Sequence, residues 1–352
     1  MAWNLLTTRR DDLPEMRWPL VVLTVFLTCF SSGFAVAIRE DAGILTVLFL
    51  MLSVVAYTLL ILLWRRLAAL AVSAGIGGCV LLGGGGWFAA VCCAMGLLAV
   101  SYVYASLFLG RESRFVRIAS TASAAGVCLL LVGIAWVSRQ FGTVENAIAW
   151  ACEQYRETAD TGLQTLASVM GEGEKNLILL PETVNAMLYQ AVAALPAMTG
   201  MACILFAGLC DAGIRFLFWL LDCDMYFAAR EDQGITMPRS FGVLYGVLLF
   251  MVMTTSASGA PHLYSILSNC HWIFALPCAW VGLSVGYRKI RHSLAEASFY
   301  GRPRNHSPLP AVLILVFFFL LLGLSAAFTV TAVVGAFCIV TRRREEPTEN
   351  ES

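Results

Sequence analysis

The residues of this chain best suited to chemistry are few, and nearly all of them sit inside apolar surroundings. Asp211 and Arg215 fall in the run "LPAMTGMACILFAGLCDAGIRFLF". Four residues apart on a helix, they share a face and can form an ion pair. Each alone would cost roughly 2.5–3.5 kcal/mol at the centre of a bilayer. Such a pair serves either as a substrate or proton site or as a fastening between helices, with the arginine reaching toward the membrane surface. A second group follows in "ILSNCHWIFALPCAWVGLSVGY", where Asn269 and His271 lie close together with Tyr264 just before them. These three are the ligand-binding candidates. The competing use of Asn269 is a bond to a neighbouring helix, averaging about 0.6 kcal/mol in measured membrane cases. An imidazole titrates near neutral pH, but no carboxylate or second histidine is near His271 in sequence; His262 lies in the preceding loop.

Other chemistries find no pattern to carry them. The serines at 31, 32, 53 and 268 have no histidine and carboxylate at a recognisable spacing, so no catalytic residue is assigned and an enzyme is not expected. The chain has twelve cysteines but no CxxC pair, and most of them lie in apolar runs where a thiol acts as a small hydrophobe. Neither a disulfide framework nor a metal site is expected, and no cofactor is implied. Glycines at 75, 77, 78 and 83 to 86 are not followed by the GK[ST] of a phosphate loop, and suit close helix approach instead.

The elements that must position these residues are membrane spans. Of 352 residues, 59% are hydrophobic and 13% charged, against about 45–50% and about 25% in soluble domains. Several apolar runs reach the roughly 20 residues a helix needs to cross the hydrocarbon layer. They run from Trp18 to Ile38, Gly43 to Trp64, Leu67 to Leu82, Trp87 to Leu109, Phe115 to Ser138, within Ala191 to Leu221, Ser240 to Ser256 and Tyr264 to Tyr287, with a final run from Leu309 to Val340. That last run has 32 residues, about 48 Å as one helix, and a break near Gly323 to Ala326 is expected. Residues 1–17 read as a cytosolic lead rather than a cleavable signal, 18–138 as a five-span bundle, 191–341 as a C-terminal bundle and 342–352 as a charged cytosolic tail. Between the bundles, residues 139–190 carry seven acids against three bases, with an apolar stripe through Val144, Ile148, Cys152, Tyr155, Leu163 and Leu166. Pro181 suits the start of a helix. The fold expected is an all-α, polytopic transmembrane bundle of eight to nine spans with an extracytoplasmic amphipathic helical insert.

Arginines set the orientation, because Lys and Arg in short loops stay in the cytosol. With the N-terminus inside, Arg65 and Arg66, then Arg111, Arg114 and Arg117, then Arg230 and Arg239, then Arg288 to Arg304 all fall inside; the acidic insert falls outside. Only Arg39, beside Glu40 and Asp41, breaks the pattern. Trp18, Trp64, Trp87 and Trp136 mark span ends as interfacial anchors. Formal net charge is zero, so nothing points to nucleic acid; the partners expected are the lipid bilayer and other membrane or transporter subunits.

From about Leu195 onward the order of features resembles the YybS-like bacterial membrane proteins, a family of unknown function. The pieces that carry the resemblance are the Asp211 run, "MPRSFGVLYGVLLF", the Asn269 run, a basic loop and a final apolar segment ending in arginines, with Pro196, Pro238, Asn269 and Gly282 where that family's recurring residues fall. The final segment departs from the pattern in lacking a proline break and an acidic residue. The resemblance implies a bacterial inner-membrane protein whose helical part is similar to the substrate-capturing membrane subunits of energy-coupling-factor transporters. The function expected is therefore a small-molecule binding or transport-related subunit without its own energy source, its pocket open to the outer side and lined by Asn269, His271 and Tyr264. The alternative is a membrane scaffold or assembly protein with no ligand.

Overall fold

The computed structural model describes residues 18–38, 43–63, 66–110, 112–143, 145–147, 149–150, 153–154, 181–220, 237–255, 259–297, 316 and 324–341. Among the described residues all regular structure is helical. The helices are α1 (Trp18–Ala37), α2 (Gly43–Leu63), α3 (Arg66–Leu82), α4 (Trp87–Leu109), α5 (Arg114–Gln140), α6 (Pro181–Leu220), α7 (Arg239–Thr254), α8 (Pro261–Ala297) and α9 (Leu324–Thr341). Six of them contain stretches long and apolar enough to cross a membrane, and the apolar parts Ala71–Leu82, Arg239–Thr254 and Ala326–Thr341 are shorter. Helices suit lipid because each satisfies its own backbone hydrogen bonds where no water can.

The ends of these helices follow local rules. Ser113 caps α5, its hydroxyl accepting the Val116 amide at 3.4 Å. Pro181 and Pro261 occupy the first positions of α6 and α8, where a missing N–H costs nothing. The expected helix start at Pro181 is thus present. Because α6 then continues through residues 190 and 191 to Leu220, the boundary expected there falls inside one helix. Most of the insert, residues 155–180, lies outside the described residues, as do the lead, the tail and most of 309–323. The last helix is described from Leu324 onward, and the residues just before it, where the expected break begins, lie outside the described ones.

The chain divides into two compact units. The first holds α1 to α5 and all of α6 but residues 193–201. Here α1 packs on α2 and α3, and α4 on α2, α3 and α5. A seam of hydroxyls runs between α1 and α2: Ser31 and Ser53 bond each other at 2.6 Å, and Ser53 also reaches the Thr28 carbonyl at 3.4 Å. Gly33 allows the close approach of α1 to α3, since a Cβ there would stand 2.6 Å from the Cys79 carbonyl oxygen. The polarity differs from a soluble domain's, with hydroxyls among the buried residues and large apolar side chains outside. Thr28, Ser31, Ser53, Thr58 and Ser101 are buried, while Phe26, Phe30, Leu129, Leu130, Leu131 and Ile134 are exposed. A lipid solvent selects that arrangement, and so large an exposed apolar surface suits no soluble monomer. The chain is a multi-pass helical membrane protein in character.

The second unit holds α7, α8 and α9 with residues 193–201 of α6. Its core is Tyr245, Ala275, Cys278, Ala279, Ala332, Ala336 and Ile339. Two glycines let α8 and α9 touch backbone to backbone: a Cβ on Gly282 would collide with the Thr331 carbonyl, and one on Gly335 with the Cys278 carbonyl. Around this crossing Phe241 stacks on Phe274 at 5.1 Å and Trp272 on Phe328 at 5.7 Å.

Candidate functional site

Within the first unit α4, α5 and α6 bring five functional side chains together. Asp211 on α6 is fully buried. Tyr104 on α4 donates its hydroxyl to Oδ1 at 2.8 Å. Arg114, the first residue of α5, donates Nε to Oδ2 at 2.7 Å. Arg215 lies one turn along α6 with its Nε 3.3 Å from Oδ2. Arg117, one turn into α5, stands 3.9 Å from Oδ1 through Nη2. It donates Nη1 to the Glu112 carbonyl at 3.2 Å and lies over the Phe108 ring at 5.5 Å. The ion pair expected between Asp211 and Arg215 is therefore present, but as one edge of a larger cluster.

Among the described residues the cluster gathers more cations than anions. Three guanidiniums meet one carboxylate, a net charge of plus two among the described residues. The imbalance runs against local preference as well, because the N-terminus of a helix already carries a partial positive charge that favours acids. The first turn of α5 has no acid and begins with an arginine. Asp211 and Arg117 are buried, whereas the Arg114 and Arg215 side chains keep 23% and 24% of their surface exposed. The arrangement has an inner carboxylate anchor and an outer cationic rim. Such a site can hold an anion by charge-assisted, forked hydrogen bonds. No group of three metal-binding side chains occurs among the described residues.

Sequence reasoning placed Arg114 and Arg117 only as markers of a cytosolic loop and passed over Tyr104. The available signal was two arginines at the head of an apolar helix with no acid in its first turn. Their convergence on an aspartate about a hundred residues away in sequence depends on tertiary packing.

The second unit separates the other candidates. Asn269 and His271 are two residues apart on α8, which turns them about 200° from each other. The Asn269 amide faces α6, where its Oδ1 accepts from the Ala197 amide at 3.1 Å and its Nδ2 donates to the Ala193 carbonyl at 2.8 Å. Nδ2 also donates to the Ser265 carbonyl of its own helix at 2.9 Å. Ala193 and Ala197 are an i, i+4 pair flanking Pro196, so Asn269 bonds the backbone beside the residue that interrupts the helix ladder. His271 instead stacks on Tyr245 of α7, ring centroids 5.4 Å apart. Its buried Nδ1 and the buried Tyr245 hydroxyl both lack a hydrogen-bond partner among the described residues. Tyr264 is half-buried, two turns before His271 on α8, and His262 is exposed. The three ligand-binding candidates do not converge on one point. The described cysteines are all free, and Ser31 and Ser53 hold α1 to α2. Comparison with known proteins adds no relative to this geometry: the chain matches no family model, no curated protein and no solved structure.

Proposed function

We propose that this chain is a binding or transport-related subunit of a bacterial inner membrane, without its own energy source, and that its ligand is a small anion held at the Asp211 cluster. The observation that carries this reading is the set of three guanidiniums on one buried carboxylate. Asp211 fixes the arginines in a partly desolvated setting, where an anion interacts more strongly than it would in water. Arg114 and Arg215 give that anion a way in. The arginine pattern of the loops supports eight to nine crossings, a cytosolic N-terminus and a cytosolic position for this cluster. The side-by-side placement of the start of α5 and the last turns of α6 agrees with that topology. Membership of the YybS-like type is part of the proposal, supported by the order of Pro196, Pro238, Asn269 and Gly282.

Equilibrium binding to the purified protein tests the reading with a panel of small carboxylates, sulfate and phosphate, set against amines and neutral sugars. Saturable binding confined to anions and weakened in Arg114→Gln supports it; binding of amines or sugars alone, or of nothing, removes it. A second reading, a membrane scaffold without a ligand, draws support from Asn269, whose amide is engaged by three backbone groups rather than directed at a pocket. An empty protein that co-purifies with a fixed partner favours that alternative.

A further inference from the structure

The crossing of α1 and α3 sets two thiols side by side. Cys29 and Gly33 are one turn apart on α1, as Gly75 and Cys79 are on α3. Each glycine faces the cysteine of the other helix. A Cβ on Gly75 would stand 3.0 Å from the Cys29 Sγ, and one on Gly33 would stand 3.1 Å from the Cys79 Cβ. Without side chains at those two places the helices approach closely, and the Cys29 thiol comes within hydrogen-bonding reach of the Cys79 thiol. A disulfide asks for Cβ atoms about 3.5–4.5 Å apart and Cα atoms less than about 7 Å apart, and a glycine-lined crossing brings two helices that near.

We infer that Cys29 and Cys79 form a redox-modification site: they close to a disulfide that ties α1 to α3, and reduction reopens it. Both cysteines are free in this structure, which is therefore the reduced form. The closed loop would contain all of α2, so one bond constrains three helices of the first unit. On closure two S–H bonds break, one S–S bond forms, and two protons and two electrons leave. The setting selects what takes them. Both cysteines lie in apolar helical stretches, Trp18–Ala37 and Ala71–Leu82, where a water-soluble oxidant does not reach. An acceptor of the quinone class, dissolved in the lipid, takes both electrons and both protons and leaves as the quinol. Both side chains are only half-buried and Gly75, against Cys29, is exposed, so lipid meets one side of the pair. This site does not depend on anion binding at Asp211.

The test places the full-length protein in phosphatidylcholine nanodiscs and treats it with copper–phenanthroline or with decylubiquinone, a quinone whose ring has no free position for thiol addition. Remaining thiols are alkylated, and unreduced peptides are read by mass spectrometry. The expected result is a linked Cys29–Cys79 peptide, loss of alkylation at both positions, and recovery of both on reduction. Cys29 stays alkylatable in Cys79→Ser, and Cys79 stays alkylatable in Cys29→Ser. A control pair, Ser31→Cys with Ser53→Cys, replaces two hydroxyls 2.6 Å apart across α1 and α2. Cys29 and Cys79 both remaining alkylatable under an oxidant that closes the control pair overturns the inference. So does a link from Cys29 to Cys92, Cys93 or Cys128 in place of Cys79. Closure by copper–phenanthroline but not by the quinone removes the proposed acceptor and upholds the pair.

Discussion

Replacing Asp211 by Asn is the perturbation that separates a charged anchor from a mere hydrogen-bonding one. The amide is the same size and still accepts from Tyr104, whose hydroxyl lies 2.8 Å from Oδ1. What it loses is the negative charge that three guanidiniums approach at 2.7 to 3.9 Å. At an effective dielectric of about 20, one unit pair about 4 Å apart is worth about 4 kcal/mol before desolvation is counted. Arg114 and Arg215, each about a quarter exposed, can relax toward water or headgroups, but Arg117, at 4% exposure, cannot. The net cost is therefore set mainly by a buried guanidinium that loses its carboxylate, about 3–5 kcal/mol at most. Arg114→Gln removes one bond and one source of repulsion together, and should cost about 1 kcal/mol or less. The assay is thermal unfolding of the purified protein in detergent, followed by the fluorescence of its nine tryptophans. On the scale of mid-sized domains Asp211→Asn should lower the midpoint by roughly 6–20 °C. A shift within about 2 °C, or a larger loss in Arg114→Gln than in Asp211→Asn, refutes the reasoning.

Three further outcomes follow from the second unit. Asn269→Ala leaves the Ala193 carbonyl and Ala197 amide beside Pro196 without their side-chain partner, and should destabilise by about 1–3 kcal/mol; the midpoint and the hydrogen exchange of residues 193–197 measure it. Tyr245→Phe deletes a buried hydroxyl that has no partner among the described residues, so it should be neutral or stabilising by about 1 kcal/mol; a clear loss of stability would show that another group satisfies the hydroxyl. Gly335→Ala drives a methyl into the Cys278 carbonyl, costing about 1–3 kcal/mol by overpacking, and a disulfide-trapping scan between α8 and α9 should show their separation widened.

The same difference in polarity explains why the two units respond differently. In the first, hydroxyls and ions hold the helices, because lipid tails are as apolar as leucine and give no hydrophobic drive for association. In the second, small residues do that work: the Gly282–Gly335 crossing lets α8 and α9 approach until their backbones meet. A charge substitution is therefore felt most in the first unit, and a volume substitution in the second.

Composition and run length by themselves determined that the chain is a set of apolar helices. Bilayer thickness sets the length of a span, and a helix is what satisfies the backbone there, so α4 has the bounds its tryptophan and glycine flanks suggest. The Asp211 and Arg215 pair was equally legible, because both members sit on one helix and helical geometry fixes their spacing. Tertiary structure alone decided what surrounds that pair. Tyr104 and Arg114 come from other helices, and no periodicity within a helix encodes which neighbour it meets. The same limit governs Asn269 and His271. Nearness in sequence suggested a shared pocket, yet two residues on a helix point nearly opposite ways, and packing sent one to the backbone beside Pro196 and the other to the ring of Tyr245.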